Sequence, residues 1–565
     1  MSKLHRSAGF QTCRIADFPI GRLSQLRGSR GFGNPHCSRI GCLRHHIARA
    51  ISGLVRSPFG NPRTSTNPNG VAALRRFAIL LNFRSALGLA LLLFAGCAVG
   101  PDYHRPSPVA MPAEWKANAP WKEGQPQDAK IRQNFWEIFD DPILNDLETE
   151  ATTNNPDLAA AFERVEQARA VARITRADLF PQLYLDPSAN RTRYSPGRST
   201  QPESLALGYT GNQFFLPLDL SYEVDLWGRV RRSFRAAREQ AQASAANYQT
   251  VLLALQADVA QNYFTIRFLD LDRRVLAQSV DLRKKNLALV ESLHTGGADS
   301  ALDVAQAETE LASAEADLVG LQLRRAQLEN ALAVLCGQAS SSFALAETTR
   351  DYEAPAIPVG LPADLLERRP DVAQAERSMA ATSEGIGVAK AAYFPAIQLT
   401  GTAGTESVAL KDVFNWENRL WSIGPNVSLP LFAGGRNRAG VQQAEAAYRE
   451  AVAQYRSQIL VAFRDVEDSL AGLNLLQEQF EAQMRAVTGA KRAASLSLLR
   501  YKEGLASYLE VVDADRTALE NELTADDLNG QRLVTTVLLI KALGGGWNAG
   551  QVMADDRVSP LRTTK

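Results

Sequence analysis

RVRRSFRAAREQAQASAANYQTVLLALQADVAQNYFTIRFLDLDRRVLAQSVDLRKKNLALVESL, the stretch Arg229–Leu293, holds neither proline nor glycine, and glycine returns only at Gly296-Gly297. Its apolar residues Leu252, Leu255, Val259, Tyr263, Ile266, Leu269, Leu276, Val280, Leu287 and Val290 recur at gaps of 3, 4 or 7. That is the seam of a helix packed in coiled-coil fashion. At 1.5 Å per residue the stretch makes a rod of roughly 100 Å, longer than a compact domain needs. Such a helix spans a distance.

The rod occurs twice. A shift of 207 carries Gly228-Arg229 onto Gly435-Arg436, Gly297 onto Gly504, Leu302 onto Leu509 and Gly337 onto Gly544. Arg436–Arg500 is the copy, with Ile459, Val466, Leu470, Leu473, Leu476, Phe480 and Val487 as its seam. Upstream the shift is 214: Asn155-Pro156-Asp157-Leu158 answers to Arg369-Pro370-Asp371-Val372, and Phe180-Pro181 to Phe394-Pro395. The seven-residue difference falls between Pro181 and Gly228, where a loop tolerates it. Duplication is the strongest organisational signal in the chain.

Charge is divided unevenly. The first 96 residues hold 14 Lys/Arg and one acid, Asp17, which leaves 48 basic and 60 acidic residues for the other 469. A basic leader therefore precedes a body with a charge of −12. Val71–Gly96 reads as a secretory signal, with Arg75, Arg76 and Arg84 ahead of the apolar run Ala86–Ala95 and then Cys97. That run is too short to cross a membrane as a helix. Residues 1–70 show no periodicity and read as an over-extended start, with a targeting role as the alternative. Phe94-Ala95-Gly96-Cys97 resembles a bacterial lipobox, with Phe94 where that pattern prefers leucine. Acylation of Cys97 by several chains would anchor the protein stably. Ala98, rather than Asp, follows the cysteine, which in such lipoproteins goes with outer-membrane sorting.

The body retains only Cys97 and Cys336, so no disulfide framework is expected, and Cys336 reads as a small buried residue near a helix end. His104 and His294 are too few and too far apart to suggest a metal site. No phosphate loop, Gly-x-Ser-x-Gly or His-Glu-x-x-His motif is present, so neither an enzyme nor a cofactor other than the lipid is expected. Gly385-Ile386-Gly387 is a fragment inside a helical pattern.

Gly100–Pro126, rich in Pro and Trp, reads as an extended tether running along the body. Phe135–Leu147 starts the first helical segment, broken before Pro142, and a helix Pro156–Leu179 follows. The period then changes from 3.6 to 2. Leu216, Leu218, Leu220, Tyr222, Val224 and Leu226 alternate with Pro217, Asp219, Ser221, Glu223 and Asp225. The second copy alternates likewise from Trp421 to Leu431. Eleven residues of this kind fit a transmembrane β-strand, with an antiparallel sheet in a soluble domain as the competing reading. Gln182–Tyr194 and Ala396–Glu406 supply the partner strands, one hairpin per repeat. Four strands cannot close a barrel and open edges are not tolerated in lipid, so the barrel must be shared. Two protomers give eight strands and a filled interior; three give twelve and a duct.

At this point the residues resemble a known family, the TolC-like outer-membrane efflux factors of the NodT/OprM lipoprotein branch. The resemblance covers about Cys97 to Trp547. Its marks are Gly96-Cys97 through Tyr103, Val224-Asp225-Leu226-Trp227-Gly228-Arg229, Leu429 through Arg436, and Tyr501 through Ala514. It implies an α+β fold in which duplicated long helical hairpins and two β-hairpins per protomer assemble as a trimeric twelve-strand β-barrel on a helical tunnel. It also implies a homotrimer in the outer membrane of a Gram-negative bacterium, extending into the periplasm. A periplasmic adaptor and an inner-membrane pump would be its partners, and nucleic acid would not. The turns Leu293–Leu302 and Arg500–Leu509 become the periplasmic tip, and Leu509, Glu510 and Asp513 match the family's constriction positions. Glu510 and Asp513 are i, i+3 and share a helix face, so a threefold axis would make them acidic rings that favour cations. The alternative for these two acids is a solvated helix face. Asp303 and Gln306 hold the corresponding places in the first copy. Tyr501 matches a tyrosine of the closed-tip latch, but Ala506 stands where the latch has arginine, so the latch does not carry over whole.

The expected organisation is a leader at 1–96, anchor and tether at 97–155, a first repeat at 156–337, an inter-repeat equatorial segment at 338–369, a second repeat at 370–544 and a tail at 545–565. A lipid-anchored adaptor protein is the rival reading. It would show one helical hairpin in a β-rich domain and no duplicated membrane strands.

Overall fold

The structure is a computed structural model that describes residues 98–106, 115, 134–193, 195, 210–348, 350, 352–355, 357 and 369–545. A 3-10 turn, Phe135–Phe139, leads into α1 (Pro142–Asn154) and α2 (Pro156–Ala177). Strands β1 (Gln182–Leu185), β2 (Ser188–Arg193) and β3 (Thr210–Glu223) follow. The first long hairpin is α3 (Arg229–Thr295) and α4 (Ala301–Leu335). The second repeat runs α5 (Pro370–Ala391), β4 (Ala396–Ser407), β5 (Arg419–Ser428), α6 (Arg436–Lys502) and α7 (Tyr508–Ala542). The shift of 207 carries both ends of α3 onto α6 and of α4 onto α7, and the shift of 214 carries α2 onto α5.

Shared end chemistry explains why the copies keep their lengths. Gly297, Gly337, Gly504 and Gly544 all have positive φ one or two residues past a long helix. The amides of Ala298, Gln338, Leu505 and Gly545 reach back to the carbonyls of Leu293, Ala333, Arg500 and Ile540. Only glycine takes that left-handed position without strain, so each helix stops at a fixed residue. At the front of α2, Asn155 accepts from the Leu158 amide at 2.9 Å and donates to the Leu335 carbonyl at 2.9 Å, with Pro156 behind it.

Seven of the ten seam residues of α3 are buried: Leu255, Val259, Tyr263, Ile266, Leu276, Val280 and Val290. The largest core lies at the waist. There Phe135, Phe139 and Leu144 pack on Phe264, with Leu332, Cys336, Tyr352, Val466, Leu470 and Val537 around them. Cys336 caps α4, and burial, with Glu150 and Glu148 nearby, pushes its thiol up to about 12, so it is an inert core residue. Asp141, the N-cap of α1, accepts from the Ile143 amide at 3.0 Å, the Tyr263 hydroxyl at 2.5 Å and the Tyr352 hydroxyl at 2.7 Å. This buried triad ties α1, α3 and the inter-repeat segment together.

Two waist carboxylates have opposite pH signs. Burial raises the Asp141 pKa, but the Tyr263 and Tyr352 hydroxyls and the Ile143 and Leu144 amides outweigh it and hold the group low. Its contribution is present above the unfolded carboxylate pKa and is lost as pH falls through the depressed value. Glu148 is fully buried, neither of its oxygens has a hydrogen-bond partner among the described residues, and desolvation raises its pKa well above normal. The fold holds its proton where the unfolded chain releases it, so stability falls as pH rises above the ordinary carboxylate range. Glu148→Gln is expected to raise the unfolding temperature in detergent at pH 8 and to change little at pH 4. Equal shifts at both pH values would contradict a protonated Glu148.

The sheet order is β1-β3-β4-β5, with β2 also pairing β3, all antiparallel. The register aligns Leu185, Leu218, Ala403 and Trp421 in one row, and Leu183, Leu220, Gly401 and Ile423 in another on the same face. The intervening row, Asp219, Thr402 and Ser422, lies on the opposite face. Leu183, Leu185, Leu218, Trp421, Ile423 and Val427 are exposed, which suits a face turned to lipid.

Strand boundaries differ from expectation: β3 ends at Glu223 rather than Leu226, and β5 begins at Arg419 rather than Trp421. Gln182–Tyr194 divides at Asp186-Pro187, which stand opposite Pro217 and Leu216, because neither proline can donate to the ladder. β3 begins at Thr210, six residues earlier than Leu216, since Phe214 and Phe215 pair with β2. β5 stops at Ser428, before Pro430. Among the described residues no helix is long and apolar enough to cross a membrane.

Candidate functional site at the helical tips

The two hairpin turns pack together through Val290 and Ala307 of the first and Tyr501, Tyr508, Val511 and Val512 of the second. Tyr501 is buried against Tyr508 with ring centroids 5.5 Å apart, and its hydroxyl donates to the Asp299 carboxylate in the first turn. Burial and the Asp299 carboxylate, with help from Asp303, push the phenol well above its ordinary pKa, so it stays a proton donor. Tyr501 thus ties one hairpin to the other. Ala506 supplies no second arm.

The other expected tip residues divide by role. Leu509 is exposed at the first turn of α7, as Leu302 is on α4. Glu510 lies 3.5 Å from Arg500, both side chains about half exposed, and Asp513 is exposed one turn on. Such a screened pair is a weak tie. Asp303 does different work. It forms a capping box, accepting from the Ser300 amide at 3.1 Å and hydroxyl at 2.6 Å while its own amide donates to Ser300 at 3.3 Å. Gln306, the counterpart of Asp513, has a buried carbonyl oxygen with no hydrogen-bond partner among the described residues. Tyr501, Leu509, Glu510 and Asp513 therefore share the second hairpin, while Asp303 lies on the first and caps α4.

The sequence reading missed the ties beneath the tip. The buried Glu310 carboxylate pairs with Arg283 at 3.1 Å and accepts from Arg516 at 3.0 Å, joining α4 to both α3 and α7. Asn286 donates to Asp515 at 3.3 Å; burial raises the Asp515 pKa, against the opposing pull of Arg283 and Asn286. None of these residues recurs at the 207 shift, where Ala490, Thr517 and Thr309 stand instead, so duplication could not point to them. Asp299 and Tyr501 lie 202 residues apart, with no local pattern linking them.

At the other end of the helices, Cys97 lies outside the described residues, but the chain after it is seated. Val99 donates to the Trp227 carbonyl at 2.9 Å. Arg232, 1% exposed, donates to Pro101 O at 3.0 Å, Gly100 O at 3.3 Å and Glu384 at 2.9 Å. Tyr103 donates to Glu376 at 3.2 Å, Arg105 to Tyr455 at 3.0 Å, and Trp115 packs edge-on against Phe463. Trp227, where β3 passes into α3, stacks on Phe394 at 4.7 Å and donates to the Pro395 carbonyl at 2.8 Å. Gly385-Ile386-Gly387 lies within α5, and a Cβ on Gly387 would stand 2.1 Å from Arg232 Cδ. That close approach accounts for the glycine.

The sequence profile of the outer membrane efflux protein family matches residues 147–338 and 361–545, one span per repeat. The chain belongs to this family. Curated relatives include the solvent efflux pump outer membrane protein SrpC of Pseudomonas putida, 36% identical over 486 residues, which cover 83% of this chain and 100% of the relative. Outer membrane protein OprJ of Pseudomonas aeruginosa is 36% identical over 485 residues, 84% of this chain and 98% of its own. The cation efflux system protein CusC of Escherichia coli K12 is 32% identical over 471 residues, 83% and 99% of the two chains. Among solved structures, the outer-membrane channel OprN superposes with a TM-score of 0.74 at 30% identity, covering 80% of this chain and 100% of that one. The CmeC outer membrane channel of Campylobacter jejuni gives 0.76 at 25% identity, covering 80% and 96%. As a member of the outer membrane efflux proteins, the chain has their α+β fold of strand hairpins on long helical hairpins and resides in the outer membrane.

Proposed function

We propose that three copies of this chain form the outer-membrane duct of a tripartite efflux system. The duct receives small molecules from an inner-membrane pump and a periplasmic adaptor and releases them outside the cell. The observation that carries this reading is the open four-strand path, apolar on one face, continuous with helical hairpins roughly 100 Å long. Three such sheets close a twelve-strand barrel wide enough for a channel. The relatives' names speak of solvents, toluene and cations, so the duct passes chemically unlike cargo and selection falls to the pump. The chain acts as a conduit, without a catalytic centre, a bound metal or a cofactor beyond its lipid. Detergent-extracted protein in planar bilayers is expected to give stepwise, porin-like conductance. An adaptor would give none.

Lipidation of Cys97 is supported by the sequence Phe94-Ala95-Gly96-Cys97 and by the seated residues Val99–Arg105, which pack at the strand–helix junction near Trp227. Cys97→Ser is expected to abolish acyl labelling of the mature protein while the barrel still retains it in the membrane. Persistent palmitate incorporation would sink the lipoprotein assignment. At the periplasmic end, Leu509, Glu510 and Asp513 of three chains form the aperture, and Tyr501 with Asp299 holds it together.

A further inference from the structure

The charged residues of the sheet are sorted by face. Side chains alternate along a strand, and β1 and β2 keep one phase against β3 across the break at Asp186-Pro187, so every strand position belongs to one face or the other. The described strands carry six charged residues. Asp219, Glu223 and Glu406 fall on the polar face, where Asp219 accepts from Thr402 at 2.5 Å and Glu406 from Gln213 at 2.8 Å. Arg191, Arg193 and Arg419 fall on the opposite face, the one that carries Leu218 and Trp421. No strand charge breaks the rule. A duct that passes cations accounts for acids turned inward; it does not account for arginines turned outward.

Height decides what those arginines meet. β3 leads into α3, so the end of the sheet that holds β2 lies away from the helices. Tyr222, near the helical end of β3, and Asn212, which stands opposite Arg191, are ten residues apart on the outward face. Ten residues make about 34 Å of strand and roughly 25 Å of height at the usual barrel tilt, the height of the apolar band of a membrane barrel. Between those two positions β3 turns only Leu220, Leu218, Leu216 and Phe214 outward. Arg191 thus stands where the apolar band ends, and Arg193 two residues beyond it. Arg419 lies in the row of Leu216, but its guanidinium is drawn back to the turn before β5. It stacks over exposed Trp416 at 4.1 Å and donates to the Trp416 carbonyl at 2.6 Å. Exposed Trp421 follows one row below. Tryptophans beside cations belong to the boundary between lipid and water.

We propose that Arg191, Arg193 and Arg419 form a belt that binds the phosphate groups of anionic lipid headgroups in the outer leaflet. The belt rests on the membrane barrel proposed above and names the lipid chemistry its outer rim takes. A guanidinium keeps its charge and presents a planar fork that meets two phosphate oxygens at once. All three arginines are exposed, and none has a carboxylate partner among the described residues. Arg191 and Arg193 flank inward-facing Thr192, so both point to the same side, as a surface site requires. Glu417, exposed two residues before Arg419, opposes that member, and Arg191 with Arg193 should carry most of the binding.

Native mass measurement of the detergent-purified full chain reads oligomeric state and bound lipid together. Dihexanoyl phosphatidic acid is expected to give retained adducts. Dihexanoyl phosphatidylcholine, whose choline cancels the headgroup charge, and inorganic phosphate should bind at least about tenfold more weakly. The Arg191→Gln, Arg193→Gln, Arg419→Gln variant should lose the phosphatidic acid adducts by a similar factor at unchanged trimer mass. A control that neutralises three exposed helical cations, Lys285→Gln, Arg456→Gln and Arg492→Gln, should keep them. Phosphatidylcholine bound as well as phosphatidic acid would show that the apolar band alone holds the lipid, and inorganic phosphate bound as well would show a site for the free ion. Either result, or equal adducts in the two variants, overturns the belt while a trimer leaves the duct standing. A stable monomer overturns the shared barrel instead, and with it the outward face on which the belt rests.

Discussion

Replacing Glu510 and Asp513 together by alanine is expected to weaken the channel's preference for cations and to release its block by trivalent ions. In the proposed trimer these two acids would place six carboxylates around one axis. Exposed charges about 4 Å from a bound ion are each worth roughly 1 kcal/mol in water, so losing several should raise the blocking concentration at least about tenfold. Arg500 opposes them. It sits 3.5 Å from Glu510, and its guanidinium offsets one acid per chain. Arg500→Ala is therefore expected to strengthen the same block. Expression and trimer mass should be normal in both variants, because all three side chains are exposed and none supports the core. Unchanged selectivity and block in the double alanine variant would place the acidic gate elsewhere.

Cutting the tie between the hairpin tips is expected to have the larger effect on resting conductance. Tyr501 donates to Asp299 across the boundary between the two repeats. A hydrogen bond to a charged group contributes about 1.5–3 kcal/mol, and half-exposed Asp299 argues for the lower end. If three tips open together, about 4.5 kcal/mol is lost, roughly a thousandfold in the closed-to-open equilibrium. Asp299→Ala should thus raise the open fraction steeply, and Tyr501→Phe should do the same while keeping the ring against Tyr508. Because the phenol is held protonated, the tie should persist through mildly alkaline pH. Open probability equal to wild type in both variants would show that closure is held by other contacts, with the Glu310–Arg283–Arg516 group as the next to cut.

How much of this was legible depends on how local the signal is. The long helices could be read because their seam repeats every turn or two and their ends are set by glycines at matching positions. Strand edges could not be placed as well. Leu216–Leu226 alternates cleanly, yet β3 starts at Thr210, because pairing with β2 rather than alternation decides where a strand begins. Glu148 was legible in hindsight: with Leu144, Leu147 and Ala151 it falls on one helix face, which is the buried one. The tip was half legible. Leu509, Glu510 and Asp513 could be placed by resemblance, whereas Asp299, Glu310 and Arg516 act through partners around 200 residues away. Asp303, also placed by position, has a local bond that the copy does not predict: its carboxylate closes a capping box with Ser300.

If one chain holds a third of a barrel, the duct exists only when copies combine. The most direct test is the native mass of the detergent-purified mature protein, read together with its β signal by circular dichroism. Three protomers per particle are expected, with the β signal lost when the particle is dissociated. A stable monomer that keeps its full β signal would contradict a shared barrel.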